Sequence, residues 1–434
     1  MRPKRDSVSS MEEIKRMSIK EHRLHSGVTE TIGKVPLRSL RDLAVFYTPG
    51  VAYASLAIKK DREMSYALTN RANRIAIVSN GSRILGLGNI GPEAGYPVME
   101  GKALLFKKFG DVDAVPITIS AETTDEIVDF VKKIQPAFGG INIEDIASPT
   151  CFEVVDKLND ELDIPVFHDD RQGTAIVALA GLKNALKLVG KKISEAKIAV
   201  NGVGAAGIGI AQLLITAGAK DLVMIDRAGI VYDGRERNMN PTKESLAKHT
   251  NKKRLMGGLR DAVKGADVLI GASERGAFRS RFIKLMADKP IVFALANPEP
   301  EMSYYAAKSA GAKIVATGMS GVPNQINNLL AFPAVFRGAL DIGARKINMQ
   351  MQIAAADALA KSVPQRMLSD KYIIPDFADE DMTKITANVA AAVARSAIET
   401  GVARKKMSET EIRRNIEAKL KRYQRIEDFV SRLG

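Results

Sequence analysis

Short apolar runs alternate with longer amphipathic runs in the first part of the chain. Five of the short runs contain β-branched residues and have turn-forming residues at their ends, which is typical of strands. They cover residues 74–80, 82–88, 114–119, 139–143 and 164–168. Between them, residues 121–134 carry apolar side chains at helical spacing. The Ala- and Leu-rich run 174–189 ends at Gly190, a residue typical of helix C-caps.

The alternation becomes regular from Lys197 onward. Further apolar runs lie at residues 197–202, 221–226, 266–271, 290–297 and 312–318. Helical patterns separate most of them, and strand–helix alternation of this kind predicts a parallel, doubly wound sheet with right-handed crossovers. The last part of the chain, from about residue 340, is mostly helical in pattern.

These patterns predict an α/β protein in three parts. We expect an N-terminal α/β domain at residues 1–189, a doubly wound, Rossmann-like domain at 190–400 and a basic helical C-terminal tail at 401–434. The run 174–189 would form a helix that bridges the first two parts. A chain of 434 residues is long enough for two or three domains with sizeable cores.

Cysteine content and hydropathy bear on the cellular setting. The chain has one cysteine, Cys151, which rules out an intramolecular disulfide and fits a reducing, cytoplasmic setting. Cys151 begins an amphipathic helical pattern, so a packed, inert thiol is favoured over a catalytic one. No apolar run reaches the roughly 20 residues of a membrane span. The first residues have no apolar core, so we expect no secretory signal.

The net charge of +14 raises the alternative of a nucleic-acid-binding protein. However, Lys and Arg are spread along the chain and are not interleaved with aromatic residues. The densest basic run, residues 404–425, is punctuated by acidic residues at helical spacing, which favours a solvated helical face. A basic active site for small dianions is a further interpretation of the charge.

A glycine-rich turn follows the strand pattern at residue 197 and opens a helical run. It matches G-x-G-x-x-G, and its members are Gly202, Val203, Gly204, Ala205, Ala206 and Gly207. The first glycine permits a tight turn, the second lets the backbone approach a pyrophosphate, and the third lets helix and strand pack closely. The phosphates would lie at the helix N-terminus, where free N–H groups and the dipole favour anions. We therefore predict an NAD or NADP site.

The residues after the next strand bear on the choice of dinucleotide. Asp226 ends that strand about 20 residues further on, where an acid would bond the ribose hydroxyls and favour NAD. Arg227 beside it would suit the 2′-phosphate of NADP, so the sequence leaves both cofactors open.

A second G-x-G-x-x-G match lies at residues 86–91. It also follows a strand pattern, but Pro92, Gly95 and Pro97 come next. We expect these residues to prevent a regular helix, which would leave the anion site incomplete. The match is therefore interpreted as an ordered loop.

Two pairs of adjacent acidic residues follow two strand patterns. Glu144 and Asp145 follow residues 139–143, and Asp169 and Asp170 follow residues 164–168. Carboxylates at the ends of neighbouring strands can converge on one point that suits Mg²⁺ or Mn²⁺. Helix capping by the same acids is the alternative. The neighbouring cofactor pattern favours the metal.

Several segments together resemble the malic enzyme family, especially its shorter bacterial and archaeal branch. The resemblance runs from about Glu21 to about Arg404. Its segments are YTPGVA (47–52), GSRILGLGNIG (81–91), EGKALLFKKFG (100–110), INIEDI (141–146), FHDDRQGTAIVALAGLKNAL (167–186), FALANP (293–298) and NQINNLLAFPAVFRGALD (324–341).

The resemblance implies metal-dependent oxidative decarboxylation of malate to pyruvate and CO₂ with NAD or NADP. It also implies a role for each matching residue. Lys102 would be the general base and Tyr47 the general acid. Glu144, Asp145 and Asp170 would hold the metal, and Asp169 would support Lys102. Malate would be bound by Arg83, Asn297 and Asn328, where Asn328 is chosen over adjacent Asn327. Asn297 would also contact the cofactor.

The general-base role carries a requirement of its own. A lysine accepts a proton at neutral pH only if its pKa is lowered, and we expect burial and a nearby cation to lower that of Lys102.

Other functions stay open beside oxidative decarboxylation. A malolactic enzyme would use the same site and release lactate, and a nicotinamide-binding regulator would have lost catalysis. The resemblance also implies a homodimer or higher homo-oligomer, to whose interface the amphipathic segment 12–22 would contribute.

Overall fold

The computed structural model describes residues 11–84, 86–376, 382–430 and 432. A four-stranded parallel sheet, in the order β2-β1-β3-β4, occupies the first part. The elements of this part are α1 (Met11–His25), α2 (Leu40–Phe46), α3 (Val51–Lys60), α4 (Met64–Leu68), β1 (Arg74–Ser79), α5 (Pro92–Gly110), β2 (Asp113–Thr118), α6 (Thr124–Ile134), β3 (Gly140–Ile143), α7 (Thr150–Glu161), β4 (Val166–His168) and α8 (Thr174–Val189).

A six-stranded sheet occupies the second part, in the order β10-β9-β8-β5-β6-β7, and a helical region follows it. Its elements are β5 (Lys197–Asn201), α9 (Ala205–Thr216), β6 (Asp221–Asp226), β7 (Gly229–Ile230), α10 (Pro241–Ala247), α11 (Leu259–Val263), β8 (Val268–Gly271), α12 (Ser280–Ile283), β9 (Ile291–Ala294), α13 (Tyr304–Ser309), β10 (Ile314–Thr317), α14 (Phe332–Asp341), α15 (Met349–Lys361), α16 (Met382–Glu399) and α17 (Glu409–Val430).

The second sheet is doubly wound. All its pairings are parallel except the short β6–β7 pair. The chain runs outward from β5 through β6 to one edge and then returns to β8 on the other side of β5. This is the strand order of Rossmann sheets, whose ligands bind beyond the carboxyl ends of the strands at that reversal. The predicted fold class is therefore confirmed.

The apolar core explains why the predicted helices form where they do. One continuous buried cluster joins the first sheet, one face of the second sheet and the C-terminal helices. A smaller cluster covers the other face of the second sheet. Helix α8 is buried along most of its length and ends, as predicted, at Gly190 in a left-handed conformation with φ of 76°. It packs against α9 and α15. The domain boundary near residue 190 stays a prediction.

Two predictions for residues 82–97 are wrong. Residues 82–88 do not form a strand: among those described, the chain turns back on itself, and the Ile84 N–H donates to the Gly88 carbonyl oxygen at 2.9 Å. A regular helix, α5, begins directly after the second glycine-rich match. Pro92 occupies its first position, where a missing N–H costs nothing.

The two other residues that were expected to prevent this helix are accommodated by packing. Gly95 lies so close to Ile84 that a Cβ atom would come within 2.9 Å of its Cδ1. Pro97 lies inside the helix, whose buried face continues through Met99, Ala103 and Phe106. Core burial therefore outweighs the hydrogen bond that Pro97 cannot make.

The basic C-terminal segment forms α17 and docks on the body of the protein. It buries Ile412, Ile416, Leu420 and Tyr423 and packs against α5, α14 and α16. On its flank, Arg422 pairs with buried Asp111 (2.6 Å between Nη2 and Oδ2), and Lys419 pairs with buried Asp341. Only part of the helix is therefore a solvated face.

Cys151 is packed in the core, as expected. Its side chain is fully buried, and burial raises the pKa of its thiol to about 12.

Of the helices within the described residues, none combines the length and the apolar character needed to span a bilayer.

Candidate active site

The turn between β5 and α9 has the close approaches that its glycines predict. Gly202 has φ of 116°, and a Cβ atom on it would lie 2.2 Å from the Ala272 carbonyl oxygen. A Cβ atom on Gly207 would lie 2.0 Å from the Gly202 carbonyl oxygen, so helix and strand touch through this glycine. In contrast, Gly204 faces open space. The N–H groups of Ala205, Ala206 and Gly207 have no intrahelical acceptor, and no side chain caps the helix.

Asp226 lies at the carboxyl end of β6, next to this turn, as predicted. Its carboxylate is held by Arg235, Lys243 and Asn238 of the following loop and α10. Burial opposes ionisation, but the hydrogen bonds from Arg235 and Lys243 outweigh it and lower the pKa of Asp226. The carboxylate is therefore charged and firmly positioned.

The two acidic pairs converge at the carboxyl ends of β3 and β4. The Asp145 N–H donates to Asp170 Oδ2 at 3.0 Å. Asp145 adopts a left-handed conformation with φ of 50°, which aspartate tolerates better than most residues. The buried Glu144 carboxylate accepts a hydrogen bond from Asn142 Nδ2 at 2.7 Å. Asp169 and Asp170 begin a π-helical turn that leads into α8.

Lys102 projects from α5 into the middle of these carboxylates. Its ammonium lies 2.8 Å from Glu144 Oε1 and 2.5 Å from Asp169 Oδ2, and its side chain is only 10% exposed. The same nitrogen lies 4.4 Å from the centroid of the Phe332 ring, a cation–π distance. A lysine that looks like a surface residue in the sequence is therefore buried at the centre of the site.

The carboxylates act on the pKa of Lys102 in the direction opposite to the one expected from burial and a nearby cation. Burial does lower the pKa of Lys102, but the charges of Asp169, Glu144 and Asp170 outweigh burial and raise the pKa above its usual value. The resemblance implied that Asp169 supports Lys102, but it did not imply the second close carboxylate, that of Glu144.

The acidic residues fit a divalent cation by charge. Glu144 and Asp169 contact the Lys102 ammonium, the charge of Asp170 also acts on it, and the charge of Asp145 acts on Glu144. Burial and the charges of the other three acids raise the pKa of Glu144 well above its usual range, although Lys102 opposes this. Oxygen ligands of this kind suit Mg²⁺ or Mn²⁺. In the part of the chain that is described, however, no three His, Cys, Asp or Glu side chains form a ready metal-binding group.

The predicted substrate-binding residues make different contacts near the acidic residues. The Arg83 N–H donates to the Asp145 carbonyl oxygen at 3.1 Å. Asn328 Nδ2 donates to Asp169 Oδ2, whereas adjacent Asn327 caps the short 3₁₀ helix Asn328–Leu330. Asn297 follows β9, and its neighbour Pro298 touches Gly86 in the loop after Arg83. Asn328 and the Arg83 backbone therefore contact the acidic cluster, whereas Asn297 lies beside the loop that follows Arg83.

Tyr47 stands apart from this group. It follows α2, its side chain is 66% exposed, and among the described residues its hydroxyl has no hydrogen-bond partner. The structure therefore does not join Tyr47 to Lys102 through direct contacts within the chain.

Family models identify both parts of this arrangement. The malic enzyme N-terminal domain matches residues 26–159, and the malic enzyme NAD-binding domain matches residues 171–398. The chain belongs to the malic enzyme family. The resemblance found in the sequence is thereby confirmed.

Malic enzymes resemble the chain over nearly its full length. The bifunctional malic/malolactic enzyme of Bacillus subtilis is 49% identical over 393 residues, which make up 89% of this chain and 95% of that protein. The NAD-dependent malic enzyme of Geobacillus stearothermophilus is 49% identical over 379 residues, or 87% of this chain and 78% of that one. Other curated relatives are named NADP-dependent malic enzymes.

Solved malic enzyme structures share the fold. That of the malic enzyme from Pyrococcus horikoshii Ot3 has a TM-score of 0.90 at 46% identity and covers 95% of this chain and 98% of its own.

A further buried acid in this malic enzyme family member was missed by the sequence reasoning. Glu301 is fully buried, and its two oxygens accept from the N–H groups of Ser273 (2.8 Å) and Ala296 (3.0 Å). These residues follow β8 and β9, so Glu301 fixes the two loops next to Asn297. The residue lies in the apparently solvated run PEPE, which offered no signal of burial.

The turn after Asp170 is one place where the two parts of the malic enzyme site touch. Arg171, in the turn after Asp170, donates to Gln212 Oε1 on α9 at 2.8 Å. A Cβ atom on Gly209 would lie 2.2 Å from the Arg171 carbonyl oxygen. Within the same turn, Gly173 leaves room for the Asp169 carboxylate, because a Cβ atom there would lie 1.9 Å from Oδ1. The acidic cluster is therefore fixed against the dinucleotide-binding helix.

The glycine turn gives a matched pair of variants. In Gly207→Ala the new Cβ meets backbone, so we expect a loss of about 1–3 kcal/mol in the free energy of unfolding. Gly204→Ala has space for its Cβ and should unfold like the wild type, but it should bind NAD(P) about tenfold or more weakly because the methyl group occupies the pyrophosphate approach. Chemical denaturation and fluorescence titration with the reduced dinucleotide measure the two effects. Equal behaviour of the two variants in both measurements would contradict this division of roles.

Proposed function

We propose that the chain is a malic enzyme that converts L-malate and NAD(P)⁺ to pyruvate, CO₂ and NAD(P)H with Mg²⁺ or Mn²⁺. The observation that carries this proposal is the buried Lys102, whose ammonium contacts Glu144 and Asp169. The turn that carries Asp169 packs on α9, the helix that follows the glycine-rich turn. Membership of the malic enzyme family supports the substrate and the reaction. A cytoplasmic location belongs to the same proposal and is supported by the single, buried cysteine.

The metal and the dinucleotide supply part of the chemistry when they are bound. Glu144, Asp145 and Asp170 would hold a cation that polarises the C2 hydroxyl of malate and stabilises the developing enolate. The dinucleotide held by the glycine turn would supply the acceptor for the hydride of C2. The glycine turn and Asn297 would place the dinucleotide, with Asp226 near its adenosine ribose.

The chain's own residues would handle substrate and protons. Arg83 would bind a carboxylate of malate through its fork of donors, and Asn297 and Asn328 would fix its orientation. Lys102 would accept the C2 hydroxyl proton. Because the surrounding carboxylates raise the pKa of Lys102, this role requires that their charge be offset in the loaded site. Tyr47 would donate the proton that C3 gains after CO₂ leaves.

Malolactic conversion of malate to lactate is the second candidate. It is favoured by the name of the Bacillus subtilis relative, which is described as bifunctional. The same binding residues would serve both reactions, and the product distinguishes them. Nucleic-acid binding is less well supported, because basic residues of α17 pair with Asp111 and Asp341.

The decisive assay mixes the purified protein with L-malate and Mn²⁺ and either NAD or NADP. We expect pyruvate and reduced cofactor in equal amounts, and we expect both to disappear when EDTA is added. Spectrophotometry at the nicotinamide absorption and product analysis by chromatography measure the two quantities. Lactate without reduced cofactor would support the malolactic candidate. A folded protein that binds dinucleotide but forms neither product would favour a non-catalytic regulator.

A variant at the acidic cluster separates the metal site from the dinucleotide site. Asp170→Ala should lower kcat by at least about a thousandfold, because it removes a proposed metal ligand. The dissociation constant for NAD(P) in the absence of metal should change less than threefold. Asp129→Ala is the control, since that exposed carboxylate pairs only with Lys133 across one turn of α6. Collapse of dinucleotide binding in a folded Asp170→Ala protein would refute the assignment.

A homodimer is part of the proposal and is supported by the surface of the first helices. Helices α2 and α3 bury no side chain, and they expose apolar residues such as Leu40 (84%) and Tyr53 (72%). A second copy over this face would also shield Tyr47, which lies between the two helices and needs a dry setting to act as an acid.

The oligomeric state is measured by light scattering coupled to size exclusion. We expect wild-type protein to have the mass of two 47.0 kDa chains, and Leu40→Glu with Tyr53→Glu to have the mass of one. Met256→Glu, which alters an exposed apolar residue in the second part of the chain, should leave the mass unchanged. A monomeric wild-type protein would exclude the dimer.

A further inference from the structure

The Asp226 carboxylate has no acceptor capacity left for a ribose. Oδ1 accepts from the Ala228 N–H (2.8 Å) and from Arg235 Nη1 (2.9 Å). Oδ2 accepts from Arg235 Nη2 (2.6 Å), Lys243 Nζ (2.8 Å) and Asn238 Nδ2 (3.0 Å). An ionised carboxylate offers roughly four lone-pair sites, and these donors occupy all of them. An acid that binds the 2′- and 3′-hydroxyls would need at least two free sites.

The donors to Asp226 are themselves fixed in place. Arg235 Nη1 also donates to the Gly229 carbonyl oxygen at 3.1 Å, and Lys243 Nζ also donates to the Asn238 carbonyl oxygen at 2.8 Å. The side chains of Arg235 and Lys243 are only 5% and 9% exposed. Displacing either cation would leave a buried charge unpaired, which costs several kcal/mol. A ribose hydroxyl therefore cannot readily take their place.

The charge at the end of β6 also differs from that of a typical NAD site. In such a site the acid repels a 2′-phosphate, and that repulsion selects against NADP. Here two buried cations share the single carboxylate, so Asp226, Arg235 and Lys243 together carry one positive charge. The repulsion is therefore cancelled.

Arg227 adds a free donor at the same place. It is exposed on the turn between β6 and β7, and among the described residues it has no hydrogen bond or ion pair. A guanidinium binds phosphate through two parallel N–H donors. Arg227 is thus available to bind the 2′-phosphate, the group that distinguishes NADP from NAD.

We propose that Asp226 is a positioning residue that anchors Arg235 and Lys243, and that Arg227, with this cation pair behind it, binds the 2′-phosphate of NADP. The enzyme then uses NADP at least as efficiently as NAD. The catalytic part of this statement rests on the proposed function, whereas the binding part does not.

The first test uses ligands that need no turnover. Calorimetric titration compares 2′,5′-ADP with 5′-ADP on the wild-type protein, on Arg227→Ser and on the control Arg414→Ser, which removes an exposed arginine from α17. We expect 2′,5′-ADP to bind the wild type at least about tenfold more tightly than 5′-ADP. This advantage should disappear in Arg227→Ser and persist in Arg414→Ser. Equal affinities in the wild type, or an unchanged advantage in Arg227→Ser, would overturn the proposal.

Steady-state kinetics extends the test to the whole cofactor. Arg227→Ser should lower kcat/KM for NADP by about tenfold or more and alter that for NAD by less than about twofold. A wild-type preference for NAD of more than tenfold would overturn the proposal. If the protein has no malate activity but shows the Arg227-dependent preference for 2′,5′-ADP, the proposed function fails while the phosphate site stands.

The positioning role of Asp226 has its own readout. In Asp226→Asn the KM for NAD should change less than about threefold, because the ribose hydroxyls do not depend on the carboxylate. The KM for NADP should change by more than that for NAD, since both the charge and the position of the two cations depend on the carboxylate. A tenfold or larger rise in the KM for NAD alone would show that Asp226 binds the ribose. If this variant does not fold, the Arg227→Ser comparison still decides the proposal.

Discussion

The buried ammonium of Lys102 is the constraint around which the first part of the structure is organised. A charge without water is tolerated only when close opposite charges replace its hydration. Glu144 and Asp169 supply those charges, and they come from the ends of two different strands. Bringing them within 3 Å of one nitrogen requires the parallel register of β3 and β4, the entry of α5 beside them, and the space that Gly173 leaves for a carboxylate.

The excess of negative charge in that cluster is unfavourable for the folded chain by itself and favourable for binding a cation. Burial, together with the charges of Asp170, Asp169 and Asp145, raises the pKa of Glu144 although Lys102 opposes this. Stability is thus given up at a position where a cation and a dianionic substrate are expected to bind. Asp226 shows the opposite arrangement, because its partners more than neutralise it. The two ends of the site consequently differ in sign, and each suits a different part of the reactants.

Much of the fold can be predicted from the sequence, because the spacing of apolar residues and the turn-forming residues determine where helices and strands form. Every strand except the two-residue β7 lies where an apolar run predicted it, residues 82–88 form no strand, and α8 ends at Gly190 as predicted. The errors cluster at residues 82–97, where tertiary packing overrides local preference: α5 continues through Pro97 because its buried face lies in the core. Neither the raised pKa of Lys102 nor the saturation of Asp226 was predictable. The pKa of Lys102 depends on distances between segments that are far apart in the chain. The donors to Asp226 are closer in sequence, but Arg235 in the loop and Lys243 in α10 belong to no recognisable motif.

The contact between Gly209 and the Arg171 carbonyl makes the two halves of the site thermodynamically linked. The turn that carries Asp169 and Asp170 cannot shift without moving α9, and α9 cannot adjust to a pyrophosphate without pressing on that turn. Linkage is reciprocal. If dinucleotide binding changes the affinity of the acidic cluster for its ligand by some factor, binding of that ligand changes the affinity for the dinucleotide by the same factor. A substitution of Gly209, which contacts neither ligand, would therefore change the cooperativity between the dinucleotide and the ligand of the acidic cluster.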